Sequence, residues 1–428
     1  MYLKNRKMIY VLMLVIAGII ILGFFYKFAS AKVSAENKGS RINKTGEKNN
    51  IEKQENMQTE QDESQENEQE TGEENEQSTE KENEQKTENK QNAENSQNAE
   101  NEQSTENEQD ETEQGESKDY IKWVDFNVSY DALCKAYEWD VQTYGNAEGS
   151  VHVNWIEVLA YVAAKSGGNF GDNEVKQIAE VSEKISKGEA TIEELKQDLK
   201  YYDYYYEAYS AVLSGFVGEY TILKPDPVIA DKIVEEQNYG LKAFSPIAKG
   251  FSYSDYDDFG VARTFGYKRQ HLGHDMMGQI GTPIVAVESG YVEALGWNKY
   301  GGWRIGIRSF DKKRYYYYAH LRQNFPFCKT LQEGSVVKAG DVIGYMGHTG
   351  YSDEENVNNI DEVHLHFGIQ LIFDESQKEC NSEIWINPYN IVRFLYKNRS
   401  LAQKNEETKE WVRVEDIILP EVEAYEGS

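Results

Sequence analysis

Six of the seven histidines fall between residues 271 and 366; only His152 lies outside that span. The first element is His271-Leu272-Gly273-His274-Asp275. Its histidine and carboxylate, four residues apart, can turn toward one point and offer a nitrogen and an oxygen to Zn²⁺. The second is His364-Leu365-His366, flanked by Val363 and by Phe367-Gly368-Ile369. Those apolar neighbours predict a strand, where side chains at i and i+2 share a face. Both imidazoles then enter one cleft while Leu365 packs behind them. The third is His320 in Tyr318-Ala319-His320-Leu321, ending an alternating run from Trp303. Any one of these histidines is ordinary in a core or on a surface, and His274 and His348 are read that way. Chance does not account for the three elements in this order across about 95 residues.

The rest of the chain must carry and place this cluster. Met8 to Tyr26 is an uncharged run of 19 residues. At about 1.5 Å per residue it is long enough for a hydrocarbon core of about 30 Å. Lys4, Arg6 and Lys7 precede it, which favours a cytoplasmic N-terminus and an external body. A cleaved signal peptide, ending near Ala29-Ser30-Ala31, is the alternative, although its apolar region would be unusually long. Residues 51–117 hold 24 Asp/Glu against 4 Lys, so most of the formal charge of −29 sits in one tract. Residues 32–117 lack any hydrophobic period, any proline and any aromatic residue. They are expected to remain a disordered tether, since they cannot bury enough apolar surface to offset ordering entropy.

A helical region follows over residues 118–230. Val175, Ile178, Val181 and Ile185 repeat at spacings of three and four. Thr191-Ile192-Glu193-Glu194 is a capping box, with Leu195, Leu199 and Tyr202 continuing a face beyond it. The tyrosine-rich run of residues 200–213 reads as helix packing rather than a ligand groove. Lys165-Ser166-Gly167-Gly168-Asn169 faintly echoes a lytic-transglycosylase turn, but lysine stands where the catalytic glutamate would be. Glycines and short alternating strands around the histidines predict a small antiparallel β domain with an open groove, over residues 231–395. Residues 396–428 show no assignable pattern. The fold class is thus α+β and multidomain: a membrane segment over residues 1–31, a tether, a helical region and an antiparallel β domain. Composition excludes a nucleic-acid binder, for there is no cationic field to meet phosphates. Cys134, Cys328 and Cys380 are too few and too odd for a disulfide scaffold. They are read as small buried hydrophobes.

From about Phe244 to Val392 the sequence resembles the LytM/lysostaphin-type zinc metallopeptidases of peptidase family M23. The matching stretches are Phe244-Ser245-Pro246, Phe265-Gly266-Tyr267, HLGHD, and Gly281-Thr282-Pro283-Ile284-Val285-Ala286. YAHL, Val337-Lys338-Ala339-Gly340-Asp341, Gly347-His348-Thr349-Gly350, HLHFGIQL and Asn387-Pro388 continue the match. The resemblance implies His271, Asp275 and His366 as ligands of one zinc ion per chain. It implies His320 and His364 as the two non-ligand histidines of the active site. One departure is residues 353–363, which intervene before HLH and bring five carboxylates. A rim built from them would alter substrate preference.

Three protein ligands leave a zinc position open for water, the arrangement of catalytic sites. Two neutral imidazoles and one carboxylate leave the ion a net charge of +1, which favours ionisation of that water. His320 and His364 would then act as base, proton donor or oxyanion stabiliser, in an order the sequence leaves open. The expectation is a membrane-anchored, extracytoplasmic zinc endopeptidase acting on peptidoglycan stem or cross-bridge peptides through a zinc-activated water. The alternative is an anchored interaction module resembling sporulation-channel proteins, whose LytM-type domain docks a partner across an intermembrane space; a protein partner met through the helical region is a separate expectation. Nothing in the composition of residues 220–243 decides whether they plug the cleft.

Overall fold

The computed structural model describes residues 120–226, 232–265, 267–378 and 382–427. The expected membrane segment, the acidic tether and Cys380 lie outside the described residues. No helix among the described residues is long and apolar enough to cross a membrane.

Four helices and a single helical turn form the first part. Helix α1 (Tyr130–Thr143) starts at Ser129, whose hydroxyl accepts from the Ala132 N–H. Helix α2 (Trp155–Ser166) is capped by Asn154 and stopped by Gly167, whose φ of 68° closes a left-handed C-cap. The Lys165–Asn169 stretch is therefore a helix terminus. Helix α3 (Asp172–Ser186) buries Ile178, Val181 and Ile185, the face that the spacing predicts. The Thr191–Glu194 capping box forms as read, but α4 (Ile192–Leu195) is one turn only. The chain turns at residues 196–201 and restarts as α5 (Tyr202–Leu213), so the face does not run on from Leu195. The restart seats Tyr202 and Tyr209 in the core, whereas Tyr201 and Tyr206 of the same run stay exposed.

After Leu213 the chain turns to strand. Strands β1 (Val217–Pro225) and β2 (Ile233–Leu241) pair antiparallel from Val217↔Leu241 to Pro225↔Ile233. None of their residues lines the cleft described below, so no plug forms among the described residues. The main sheet is antiparallel throughout. It is built from β3 (Ser254–Asp255), β6 (His274–Met277), β8 (Gly290–Asn298), β9 (Gly302–Ser309), β10 (Arg314–Ala319), β11 (Val336–Val337), β13 (His364–Leu371) and β14 (Ile384–Ile386). The order is β11-β8-β9-β10-β13-β6-β3, with β14 sharing the β13 edge with β6. Two further antiparallel pairs form: the hairpin β4 (Ala262–Phe265) with β5 (Tyr267–Gln270), and β7 (Pro283–Val285) with the sequence-distant β12 (Val342–Tyr345).

Residues 396–428, which show no pattern in sequence, also form elements. Strands β15 (Ala402–Lys404) and β16 (Trp411–Arg413) pair with each other, and β17 (Asp416–Ile418) pairs with β1. Helix α6 (Tyr389–Leu395) precedes them and α7 (Pro420–Glu426) closes the chain.

One apolar core runs from the helices into the sheet, from Leu133 and Val158 through Tyr209 to Ile307 and Phe367. At the junction Arg314 is 1% exposed, and its guanidinium meets both oxygens of Glu288 at 2.7 and 3.0 Å. The same guanidinium donates to the Ala211 carbonyl at the end of α5, at 2.6 Å. Gly215 makes the approach possible: a Cβ there would fall 1.7 Å from a Glu288 oxygen.

Candidate metal centre and cleft

Strand β13 opens at His364 and alternates as expected. Leu365, Phe367, Ile369 and Leu371 are fully buried, while His364, His366 and Gln370 face a cleft of about 1010 Å³. Strand β6 lies beside it in a register that sets His366 opposite Asp275. His271 sits just before β6, and its backbone N–H donates to the Val261 carbonyl. Ladder pairing thus brings residues 91 and 95 positions apart into one cluster.

The donor atoms form a small triangle. His271 Nε2 lies 3.0 Å from Asp275 Oδ1 and 3.1 Å from His366 Nδ1. His366 Nδ1 lies 2.9 Å from the same oxygen. A tetrahedral ion with bonds of about 2.0–2.1 Å needs donors about 3.4 Å apart, close to this spacing. His271 Nδ1 lies 3.3 Å from the Asp258 carbonyl, which can only accept. That contact puts the proton on Nδ1 and leaves the Nε2 lone pair toward the triangle. The other Asp275 oxygen is held by Arg263 at 3.2 Å. Lone pairs and an ionised carboxylate this close require a proton or a cation between them. The donor set therefore fits a divalent ion, and His271, Asp275 and His366 form a possible metal site.

Burial opposes ionisation of Asp275, yet its close contacts with His271 and His366 and the neighbouring His364 outweigh burial and hold the carboxyl far below its usual range. Burial pulls His271 down, but the Asp275 and Asp258 carboxylates overcome this and leave it raised. Burial lowers His366 in spite of its bond to Asp275. Burial, reinforced by His364 and His366, keeps His320 well below the ordinary histidine range. His320 is therefore neutral at pH 7.

His320 and His364 stand together beside the triangle, their ring centroids 4.7 Å apart. Strand β10 ends at Ala319, and His320 takes a left-handed φ of 60° that swings its ring into the cleft. Its Nδ1–H donates to the Thr349 carbonyl at 3.0 Å, and its backbone N–H to Gly301 at 2.8 Å. His364 Nδ1–H donates to the Glu362 carbonyl at 2.9 Å. In both rings a carbonyl acceptor holds Nδ1–H and turns Nε2 toward the cleft. His364 Nε2 lies 3.8 Å from Asp275 Oδ1.

All five histidine and aspartate candidates thus line one cleft. His274 and His348 do not: His274 Nε2 pairs with Asp255 at 2.9 Å, and His348 Nδ1–H donates to the Ile360 carbonyl. The 353–363 insertion contributes only two of its carboxylates to the cleft, Asp361 and Glu362. Asp353 turns away to pair with Lys299. Cys134 and Cys328 are half-buried free thiols with no part in the cleft. Sequence reasoning did not single out Arg269, Arg304, Tyr317 or Tyr351. Arg269 donates to the Tyr351 hydroxyl and lies over the Tyr300 and Tyr351 rings. Strand parity would have found Arg304 and Tyr317, because both belong to the set that faces away from the buried Ile305 and Tyr318.

Residues 269–380 match the sequence model of peptidase family M23. The L-Ala–D-Glu endopeptidase of Bacillus subtilis (strain 168) is 40% identical over 124 residues, 29% of this chain and 36% of the relative. Glycyl-glycine endopeptidase ALE-1 of Staphylococcus capitis is 31% identical over 133 residues, 31% of this chain and 32% of the relative. Among solved structures, the catalytic domain of the antimicrobial peptidase lysostaphin from Staphylococcus simulans is 29% identical. That match covers 33% of this chain and 92% of the other, with a TM-score of 0.26. The chain spans about a third of the length of these two curated relatives. Residues 269–380 thus form a peptidase M23 domain similar to those of the LytM/lysostaphin type.

Proposed function

We propose that the protein is a membrane-anchored zinc endopeptidase, exposed outside the cytoplasm, that hydrolyses peptide bonds of peptidoglycan. The observation that carries this reading is the triangle of His271 Nε2, Asp275 Oδ1 and His366 Nδ1 on the cleft wall. Zinc held there supplies Lewis acidity and a water of lowered pKa. The chain's own part is positioning and proton handling. Arg263 and Asp258 orient the ligands from behind, as supporting partners do in metal sites. His320 and His364 turn their Nε2 edges to the same space, where one can take a proton from the attacking water and a proton so held can pass to the leaving amine. The open groove over an antiparallel sheet suits an extended peptide. The relatives act on two kinds of bond, L-Ala–D-Glu and glycyl-glycine, and both point to cell-wall peptides. The apolar run Met8–Tyr26 supports anchoring, with the acidic tract as a tether into the wall.

The test is incubation of the purified full-length protein with cell-wall sacculi, with zinc and with chelator. Release of new amino termini that stops on chelation and returns with zinc is expected. Sacculi left intact under both conditions overturn the reading.

A further inference from the structure

Four cationic side chains line the cleft: Arg263, Arg269, Arg304 and Lys378. Three are already engaged. Arg263 pairs with Asp258 and Asp275, Arg269 donates to the Tyr351 hydroxyl, and Lys378 meets Glu293 at 2.6 Å. Arg304 is not. Its Nη1 is shut off from solvent and has no hydrogen-bond partner among the described residues.

The surroundings of Arg304 leave room for a ligand. It lies on β9 between the buried Ile305 and the half-buried Trp303, on the opposite strand face from Ile305. Across the ladder on β8 its partner is Gly296, and nothing lies within 4 Å of where a Gly296 Cβ would be. On β13, two strands away, Gln370 is 3% exposed and its Nε2 also lacks a partner among the described residues. The register sets Gln370 level with Arg308, four residues along β9 from Arg304, so the two groups lie on the order of 16 Å apart, a span of about five residues of extended peptide. Two donor groups without acceptors on one cleft wall mark a polar subsite. Nearby Glu383 is occupied with the Trp385 Nε1–H at 2.7 Å.

We propose that Arg304 forms a subsite for a carboxylate of the substrate, so that the cleft selects acidic peptides over neutral ones. A guanidinium presents a planar fork that matches a carboxylate, and such charge-assisted bonds are stronger than neutral ones. Gln370 offers the same peptide a neutral donor, suited to a backbone carbonyl. Asp361 and Glu362 line the cleft at the His364 rim, where like charge disfavours a second binding register. This rests on the proposed peptide hydrolysis and deepens it. Of the two bond types cut by the relatives, it selects the acidic stem peptide rather than a glycine bridge.

The carboxylate has two possible sources, a side group or a chain end, and the ligands separate them. Peptides containing L-Ala–D-Glu are made with an amidated C-terminus, once with the glutamate carboxyl free and once as carboxamide. A third peptide restores the C-terminal carboxylate on the carboxamide. Equilibrium binding and cleavage are measured with the zinc-loaded full-length protein. A free carboxylate at one of the two positions should tighten binding at least about tenfold, and that position identifies the source. The loss in Arg304→Gln should be at least about tenfold larger for the favoured acid than for the carboxamide, while Arg304→Lys keeps part of the preference. Equal affinity for all three peptides, or an Arg304→Gln loss equal across them, overturns the subsite. If Arg304→Gln fails to fold, the wild-type ratio and Arg304→Lys still decide. Cleavage of sacculi without acid preference sinks the subsite alone. Acid preference without zinc-dependent cleavage sinks the hydrolase reading and leaves the subsite standing.

Discussion

At the scale of single residues the cleft divides labour between groups that hold and groups that react. His271, Asp275 and His366 contribute the three converging donor atoms, and His320 and His364 stand outside that triangle. Removing a donor and removing a neighbour should therefore fail differently. Asp275→Ala is expected to lose bound zinc, read as metal stoichiometry after dialysis, because two imidazoles alone leave the ion under-coordinated. His320→Ala and His364→Ala should keep the metal and lose about 10²–10⁴ in turnover, the usual size of a general acid–base contribution. Metal loss in those two, or retention in Asp275→Ala, contradicts the assignment.

Elements matter because each reactive side chain is placed by a backbone event next to it. The β6–β13 register supplies Asp275 opposite His366, and the left-handed turn at the end of β10 supplies His320. Gly273 is the tightest point of this arrangement. A Cβ there would lie 2.4 Å from His366 Cε1 and 2.9 Å from the Phe367 carbonyl. Gly273→Ala should push the imidazole out of the triangle and weaken zinc binding by about 10–100-fold, the scale of supporting-partner losses. A metal titration checks this, with far-UV circular dichroism to show that the sheet persists. An unchanged zinc affinity would mean that His366 has slack the close contacts deny.

Over the whole molecule, the helical region and the sheet are joined by a continuous core and by one buried charged junction. Arg314 links Glu288 to the Ala211 carbonyl of α5, and Tyr316 donates to Glu288 at 2.5 Å. Arg314→Ala strands the Glu288 carboxylate, and about 3–5 kcal/mol of stability should be lost, read from urea midpoints. Asp311 at the same junction gives a pH signature. Burial raises its pKa, but Arg314, the Ser309 hydroxyl and the Lys313 N–H outweigh this and leave it lowered. A carboxylate lowered on folding contributes stability above its unfolded pKa near 4, and that contribution fades as pH falls through the folded value. Asp311→Asn should therefore be less stable than wild type at pH 7, with the gap closing as pH falls below the unfolded value and through the lower folded one. A gap independent of pH would show that the carboxylate's charge is not what matters.

Local pattern was enough for the features that depend on neighbours in sequence. The strand at HLH follows from alternation, since Leu365 must be buried for both histidines to face out, and the α3 face follows from its three-and-four spacing. The resemblance carried by HLGHD, YAHL and HLHFGIQL pointed to the five cleft residues before any coordinates. What it did not contain was decided by pairing across long separations. Strand β2 is mostly exposed and β1 mostly half-buried, so no alternating buried face marks them as strands, and β15 to β17 are three residues each. Their stability comes from partners as distant as Thr221↔Ile418. Arg304 reads as an ordinary surface cation until the sheet buries its Nη1 on the cleft wall. Residue types and short spacings fixed which groups were available for chemistry. Ladder register and burial, which are properties of the folded sheet, decided which of them meet and which are left without a partner.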